Sequence, residues 1–225
     1  TGEHRLIAGR TPRIGSTLRN ETSVACLTRI STTVVKGTSL DHPEAIEVGQ
    51  FGYAHDRLFH FIDDRGVMFS SKRHGPLVQV HSKYDDDTEV LTLNFPDGAV
   101  ITAPIKLTDE HVSTNFWGRP VDATIVDGPF ADAVGTYVGR PLRMVRADVP
   151  GTATDLHPVT LIATATLDHF ASKFDAPTEH WRDRFRMLFE VDGLEPFEEE
   201  TWEGATVTIG DLDICVQGPI PRCLV

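Results

Sequence analysis

The chain has 225 residues, of which 40% are hydrophobic, and its formal net charge at pH 7 is -12. This length and apolar content suffice for a core in one large domain or two small ones and argue against a disordered chain. The negative charge, with no long basic run to offset it, excludes nucleic-acid binding by phosphate neutralisation. No stretch approaches the roughly 18 apolar residues of a membrane-spanning helix, and the opening segment lacks the apolar core of a secretory signal. We therefore expect a cytoplasmic protein with neither nucleic-acid nor membrane partners.

Residues 1–23 are polar with basic patches, and Pro12 and Gly15 interrupt any regular period, which predicts an extended arm. Short β-type runs dominate from Val24 onward, beginning with "VACLTRIST". The runs "DRLFHFIDDRGVMFSS" and "EVLTLNFPDGAVITAPIKL" each predict two strands joined by a turn, at Asp-Arg-Gly and at Pro-Asp-Gly respectively.

Two helices are predicted further along the chain. In "DGPFADAVGTYVGRPLRMV", Phe130, Val134 and Val138 share one helical face, Gly139 and Pro141 end the helix, and a strand follows. The segment "RADVPGTATDLHP" reads as a connection, and "ATLDHFASKF" predicts a second helix with Leu167 and Phe170 inward.

The last third returns to strands, predicted in "RFRMLFEV", "ATVTI" and "DLDICVQG". These elements together predict an α+β fold, mainly β and barrel-like, with a few short helices.

The three cysteines are predicted to have different environments and roles. Cys26 and Cys215 have apolar neighbours, so we expect both to pack in the core. Cys223, in "IPRC", follows Arg222, whose positive charge favours the reactive thiolate that attacks electrophiles and binds soft metals. A small, partly buried apolar role is the alternative for Cys223.

Isolated basic residues within β-type sequence form a second signal: Lys36, Arg57, Lys72, Arg73, Arg184 and Arg186. Taken singly, each of these residues is typical of a solvent-exposed face. If several converge, they form a receptor for a phosphate or another anion, because arginine offers forked donors and lysine a point charge.

Several segments, in order, resemble the MOSC proteins. "LTRISTTVVKGTSL" and "VGQFGYAHDRLFHFIDDRGVMFSSKRHGPL" are similar to their N-terminal β-barrel region. "HPVTLIATATLDHF", "RFRMLFEV", "PFEEETWEGATVTIGDL" and "PIPRC" are similar to the helix start, a strand, an acid-Trp segment and the Arg-Cys element of the MOSC domain itself.

The resemblance implies an N-terminal β-barrel-like subdomain over residues 24–110, packed with a MOSC-type β-barrel over residues 111–225. Residues 1–23 are similar to the family's C-terminal tail, which suggests a permuted or displaced tail lying close to Val225. Relatives such as the mitochondrial amidoxime reducing component imply an oxidoreductase that binds the molybdenum cofactor and reduces N-hydroxylated small molecules with electrons from a partner protein.

The same resemblance implies a set of site residues. Cys223 would be the catalytic residue and molybdenum ligand, and the pterin and its phosphate would be held by Lys36, Arg57, Lys72, Arg73, Thr166, Arg186 and Arg222. Two alternatives stay open: a metal-free enzyme in which Cys223 is a nucleophile or persulfide carrier, and a carrier that binds the molybdenum cofactor without turnover.

Overall fold

The computed structural model describes residues 4–7, 25–72 and 74–221. Strands outnumber helices in these ranges, so the protein is α+β and mainly β, as the sequence predicts. The described part of the chain contains no helix with the length and apolar character needed to cross a membrane.

The strands are β1 (His4–Ile7), β2 (Cys26–Ile30), β3 (Ala45–Gly49), β4 (Gly52–Tyr53), β5 (Phe59–Ile62), β6 (Met68–Phe69), β7 (His81–Asp85), β8 (Val90–Asn94), β9 (Val100–Pro104), β10 (Lys106–Phe116), β11 (Arg119–Asp127), β12 (Arg143–Ala147), β13 (Leu161–Ala163), β14 (Phe189–Asp192), β15 (Thr206–Ile209) and β16 (Leu212–Cys215). The α-helices are α1 (Phe130–Val138), α2 (Thr164–Phe174) and α3 (Thr178–Phe185), and short 3-10 helices cover Gly75–Gln79 and Glu198–Trp202.

The chain divides into two compact units. The central unit comprises residues 33–41 and 53–158, and the terminal unit comprises the described residues of the ranges 1–32, 42–52 and 159–225. The terminal unit is therefore assembled from three separate parts of the sequence.

The central unit is built on an antiparallel five-stranded sheet with the strand order β10-β11-β12-β5-β6. All four residues of β5 are buried, because the strand lies inside this sheet. Phe59 and Phe61 pack with Leu91 of β8 and with Phe130 and Val134 of α1. Burying a side chain of this size stabilises the fold by about 2 kcal/mol, so this cluster contributes strongly to the rigidity of the sheet.

Local turn chemistry accounts for the hairpins of the central unit. Strands β7, β8 and β9 form an antiparallel meander, and Gly98 of the Pro-Asp-Gly turn between β8 and β9 has φ of 90°. The Asp-Arg-Gly turn joins β5 to β6, where Asp63 Oδ1 accepts hydrogen bonds from the N–H groups of Arg65 and Val67. Both predicted turns, and helix α1 with its end at Gly139, are confirmed.

The terminal unit contains a three-stranded sheet, β13-β14-β2, in which β13 and β14 are parallel and β2 is antiparallel to β14. Helix α2 follows β13 directly and confirms the second predicted helix, with Leu167 fully buried. Strands β15 and β16 form a hairpin where strands were predicted.

Two sequence-based expectations in the terminal unit were wrong. The segment "RFRMLFEV" was predicted as one strand, but Arg184 and Phe185 end helix α3, Arg186 is its left-handed C-cap, and the strand begins only at Phe189. Cys26 is only half-buried and Cys215 is exposed, because both lie on the less buried face of their strands.

Candidate functional site

The loop after β2 fixes the backbone of Lys36 against strand β5. The Lys36 N–H donates to the Phe59 carbonyl at 2.8 Å, the Phe59 N–H donates to the Val34 carbonyl at 3.0 Å, and Val35 forms a parallel bridge with Phe59. Gly37 has φ of 89°, and a Cβ there would meet Leu77 Cδ2 at 3.0 Å. This tight loop sets the direction of the Lys36 side chain.

The Lys36 ammonium is almost fully buried, with the residue 5% exposed. Its Nζ donates to Asp155 Oδ1 at 2.8 Å and to the Ala153 carbonyl at 3.2 Å, and lies 5.0 Å from the centroid of the Phe116 ring. Burial lowers the pKa of Lys36 from 10.5 to about 8, although Asp155 partly opposes this by stabilising the ammonium. Lys36 is therefore cationic at neutral pH but titrates in the mildly alkaline range.

Asp155 accepts hydrogen bonds from two side chains. Its Oδ1 accepts a hydrogen bond from Trp117 Nε1 at 3.0 Å besides the one from Lys36. Burial alone would raise the pKa of Asp155, but the charge and hydrogen bond of Lys36, together with the indole hydrogen bond, lower it to about 2. The carboxylate is thus ionised over the physiological range.

Arg57 lies beside the same loop. Its backbone N–H donates to the Thr33 carbonyl at 2.6 Å, and its φ of 57° is in the left-handed region. The guanidinium pairs with the buried carboxylate of Asp56, whose other oxygen accepts the Thr33 N–H at 3.0 Å. The positive charge of Arg57 contributes to the lowered pKa of Lys36, so the two cations lie within electrostatic range of each other.

Two further cations lie at the hairpin between β10 and β11. Lys72 Nζ lies over the Trp117 ring, 5.6 Å from its centroid. Arg119 donates from Nη2 to the Thr154 carbonyl at 2.6 Å and lies over the Phe116 ring. Arg119, Trp117 and Asp155 were not among the site residues predicted from the sequence.

We call the group formed by Lys36, Arg57, Lys72, Arg119, Asp56 and Asp155 the basic cluster. It has four cationic and two anionic side chains, and hence a net charge of two positive units in a chain whose total is -12. Cations that converge in this way, with Lys36 buried, Arg57 and Arg119 half-buried and Lys72 exposed, favour an anionic ligand.

The other predicted site residues that the structure describes are Thr166 and Arg186. Thr166 and Arg186 belong to the terminal unit: the Thr166 hydroxyl accepts the Phe197 N–H at 2.7 Å, and the Arg186 N–H donates to the Arg182 carbonyl at 3.0 Å. Arg73, Arg222 and Cys223 lie outside the described residues, as do Thr1 and Val225, whose proximity was predicted.

Two glutamate carboxylates of the chain bind at the start of helix α2. Glu199 Oε1 accepts the N–H of Ala163, the N-cap residue, at 3.0 Å, and the Thr164 hydroxyl donates to Glu190 Oε1 at 3.1 Å. A carboxylate at a helix N-terminus is stabilised by the helix dipole. The chain's own glutamates thus provide negative charge at this helix start.

Comparison with known proteins gives a family match and several distant relatives. Residues 25–141, slightly more than half of the chain, match the MOSC N-terminal beta barrel domain. The chain is 24% identical over 185 residues to a molybdenum cofactor sulfurase of Drosophila willistoni, covering 76% of this chain and 23% of that protein. It is 22% identical over 209 residues to the molybdenum cofactor sulfurase of Homo sapiens, covering 78% and 23%.

The chain therefore spans about a quarter of the length of these relatives. A solution structure of a Bordetella bronchiseptica protein is 18% identical, with a TM-score of 0.33, and the match covers 44% of this chain and 78% of that one.

Proposed function

The chain belongs to the family defined by the MOSC N-terminal beta barrel domain, and from this membership we propose that it binds the molybdenum cofactor through the pterin phosphate and takes part in the sulfur chemistry of that cofactor. The observation that carries the proposal is the basic cluster, a local excess of positive charge in a strongly acidic chain. The names of the relatives, molybdenum cofactor sulfurases, support the choice of ligand.

The side chains of the basic cluster fit a phosphate ester. Such a group carries about two negative charges at neutral pH, and lysine and arginine side chains are its usual partners in proteins. Arg57 and Arg119 would offer forked donors, and Lys36 and Lys72 would act as point charges. When bound, the cofactor supplies two-electron and sulfur-transfer chemistry, and the chain supplies binding and orientation.

Cys223 is the residue that we propose for sulfur handling. The adjacent Arg222 favours the thiolate, which is the form that attacks an electrophilic sulfur and can carry a persulfide. Under this proposal the bound cofactor is a substrate, and the Cys223 thiolate takes the outer sulfur of a persulfide donor, whose S–S bond breaks and whose thiolate is the leaving group. Arg73 is proposed as a further contact to the ligand, and a role for Thr166 and Arg186 in cofactor binding stays a prediction from the resemblance.

A second proposal follows from the Arg-Cys element at the end of the chain. Here Cys223 is a molybdenum ligand, and the protein reduces N-hydroxylated or similar small molecules with electrons from a partner protein. We place both activities in the cytoplasm.

Molybdenum content separates the two proposals. We expect protein purified from a host that makes the cofactor to contain molybdenum and pterin in both wild type and the Cys223→Ser variant, with a persulfide detected by mass spectrometry in wild type only. Loss of molybdenum from Cys223→Ser, together with loss of turnover of N-hydroxylated compounds, would instead identify the cysteine as a metal ligand. Wild-type protein that contains neither molybdenum nor pterin would contradict both proposals.

The titration of Lys36 gives a direct test of phosphate binding. Affinity for glycerol 3-phosphate should fall as the pH rises through about 8, the lowered pKa of Lys36, because binding above that pH requires uptake of a proton. The phosphate is already dianionic there, since its second pKa is about 6. Titration calorimetry over this range measures the effect.

The matched control for this pH dependence is Lys36→Arg, which keeps a positive charge throughout the range because an arginine does not titrate there. We expect its affinity to be independent of pH. An equal decline in Lys36→Arg and wild type would show that Lys36 is not the titrating group.

A further inference from the structure

The turn between β10 and β11 places a tryptophan where the backbone favours asparagine or glycine. Phe116 pairs with Arg119, so Trp117 and Gly118 form a two-residue turn, and their φ values are 55° and 94°. Two-residue hairpin turns with positive φ at both positions prefer Asn-Gly. A bulky residue is strained in this conformation, and such strain is characteristic of functional positions.

Packing does not account for the tryptophan. Trp117 is 59% exposed, so it gains little from burial, yet its orientation is fixed because Nε1 donates to Asp155 Oδ1 at 3.0 Å. The same carboxylate oxygen binds Lys36 Nζ at 2.8 Å. Asp155 thus joins an exposed, oriented aromatic ring to the buried cation of the basic cluster.

Lys72 adds positive charge beside this ring, with its ammonium 5.6 Å from the ring centroid. A flat, exposed indole next to cations combines a stacking surface with a phosphate-binding group. Proteins that bind nucleotides and single strands use the same combination, with rings stacked on aromatic side chains and phosphates held by lysine and arginine.

We propose that Trp117 is the surface on which the pterin ring of the ligand stacks while its phosphate binds the basic cluster. This inference rests on the proposed function, because it identifies the part of the same site that recognises the heterocycle. Trp117 is thereby a specificity-determining residue: it distinguishes a pterin phosphate from a simple phosphate ester.

The test compares two probes that share a phosphate ester, 6-hydroxymethylpterin phosphate and glycerol 3-phosphate, by titration calorimetry. We expect wild type to bind the pterin probe at least about tenfold more tightly, as aromatic stacking provides. Trp117→Asn should remove this difference while still binding glycerol 3-phosphate, whereas Trp117→Phe should retain part of it. Asparagine tolerates positive φ, so the melting temperature of Trp117→Asn should be equal to or above that of wild type.

A matched control is Phe174→Ala in the terminal unit, because Phe174 is also exposed, at 56%, with Lys173 Nζ 6.0 Å from its ring centroid. It should retain the full preference for the pterin probe. A preference that survives in Trp117→Asn, or equal binding of both probes by wild type, would overturn the inference while leaving the phosphate site intact. A lowered melting temperature in Trp117→Asn would also overturn it. Wild type that binds neither probe would overturn the proposed function as well.

Discussion

Replacing Lys36 by methionine should weaken the binding of 6-hydroxymethylpterin phosphate by about 30-fold or more, since truncating one partner of a buried charge pair typically costs about 2 kcal/mol or more. The substitution removes the most deeply buried cation of the basic cluster. It also leaves the Asp155 carboxylate, now without its partner, facing the ligand phosphate. Titration calorimetry at neutral pH measures the loss.

Asp155→Asn should also weaken binding at neutral pH. It keeps an oxygen that can accept hydrogen bonds, but it removes the negative charge that stabilises the Lys36 ammonium, so the pKa of Lys36 falls further and the ligand phosphate loses a cationic partner. Lys83→Met is the matched control for loss of one positive charge, because Lys83 is exposed on β7 of the same unit. An equal loss of affinity in Lys83→Met and Lys36→Met would show a general charge effect and contradict a specific site.

The sequence predicted three of the four cations of the basic cluster because their signal is local. Lys36, Arg57 and Lys72 are basic residues within β-type runs, and such residues stand out wherever a sheet should be apolar. Arg119 and Asp155 give no comparable signal. Asp155 follows Lys36 by 119 positions, and only the order of strands in the sheet brings their loops together.

The importance of Trp117 could not be predicted from the sequence for a different reason. An aromatic residue before glycine is ordinary in composition, and its significance appears only when the register pairs Phe116 with Arg119 and leaves Trp117 at positive φ. Register depends on the pattern of a whole strand pair rather than on the turn alone. The hairpin after β8 was predictable because Pro-Asp-Gly specifies its own turn.

Helix α3 was missed because its apolar contacts are few and only half-buried. No residue of α3 is buried, although Trp181 and Phe185 pack against Phe170 of α2. The helix is also held by Arg182, which donates from Nε to Glu190 Oε2 and from Nη2 to Glu190 Oε1, both at 2.7 Å, and from Nη1 to Glu179 at 2.8 Å. Such a forked pair between a helix and strand β14 cannot be read from local periodicity.

These contacts form a charged network in the terminal unit that begins at β2. Arg29 donates to Glu179 Oε1 at 2.7 Å, so Glu179 links Arg29 to Arg182. The hydrogen bonds that Arg182 donates to Glu190 and Glu179 raise the pKa of Arg182, with Glu190 the larger cause. Glu190 is only 6% exposed, so its charge depends on this guanidinium for compensation.

Arg182→Met should therefore destabilise the protein by about 3 kcal/mol, because removing one partner of a buried ion pair leaves an uncompensated charge. Urea unfolding followed by circular dichroism measures the change in the free energy of unfolding.

The double variant Arg182→Met with Glu190→Gln should recover part of the lost stability, since the buried charge is then absent. Arg184→Met provides the control: Arg184 is exposed on the same helix, and its substitution should cost less than about 1 kcal/mol, as is usual at exposed positions. Equal destabilisation by Arg182→Met and Arg184→Met would show that α3 does not depend on its contact with Glu190.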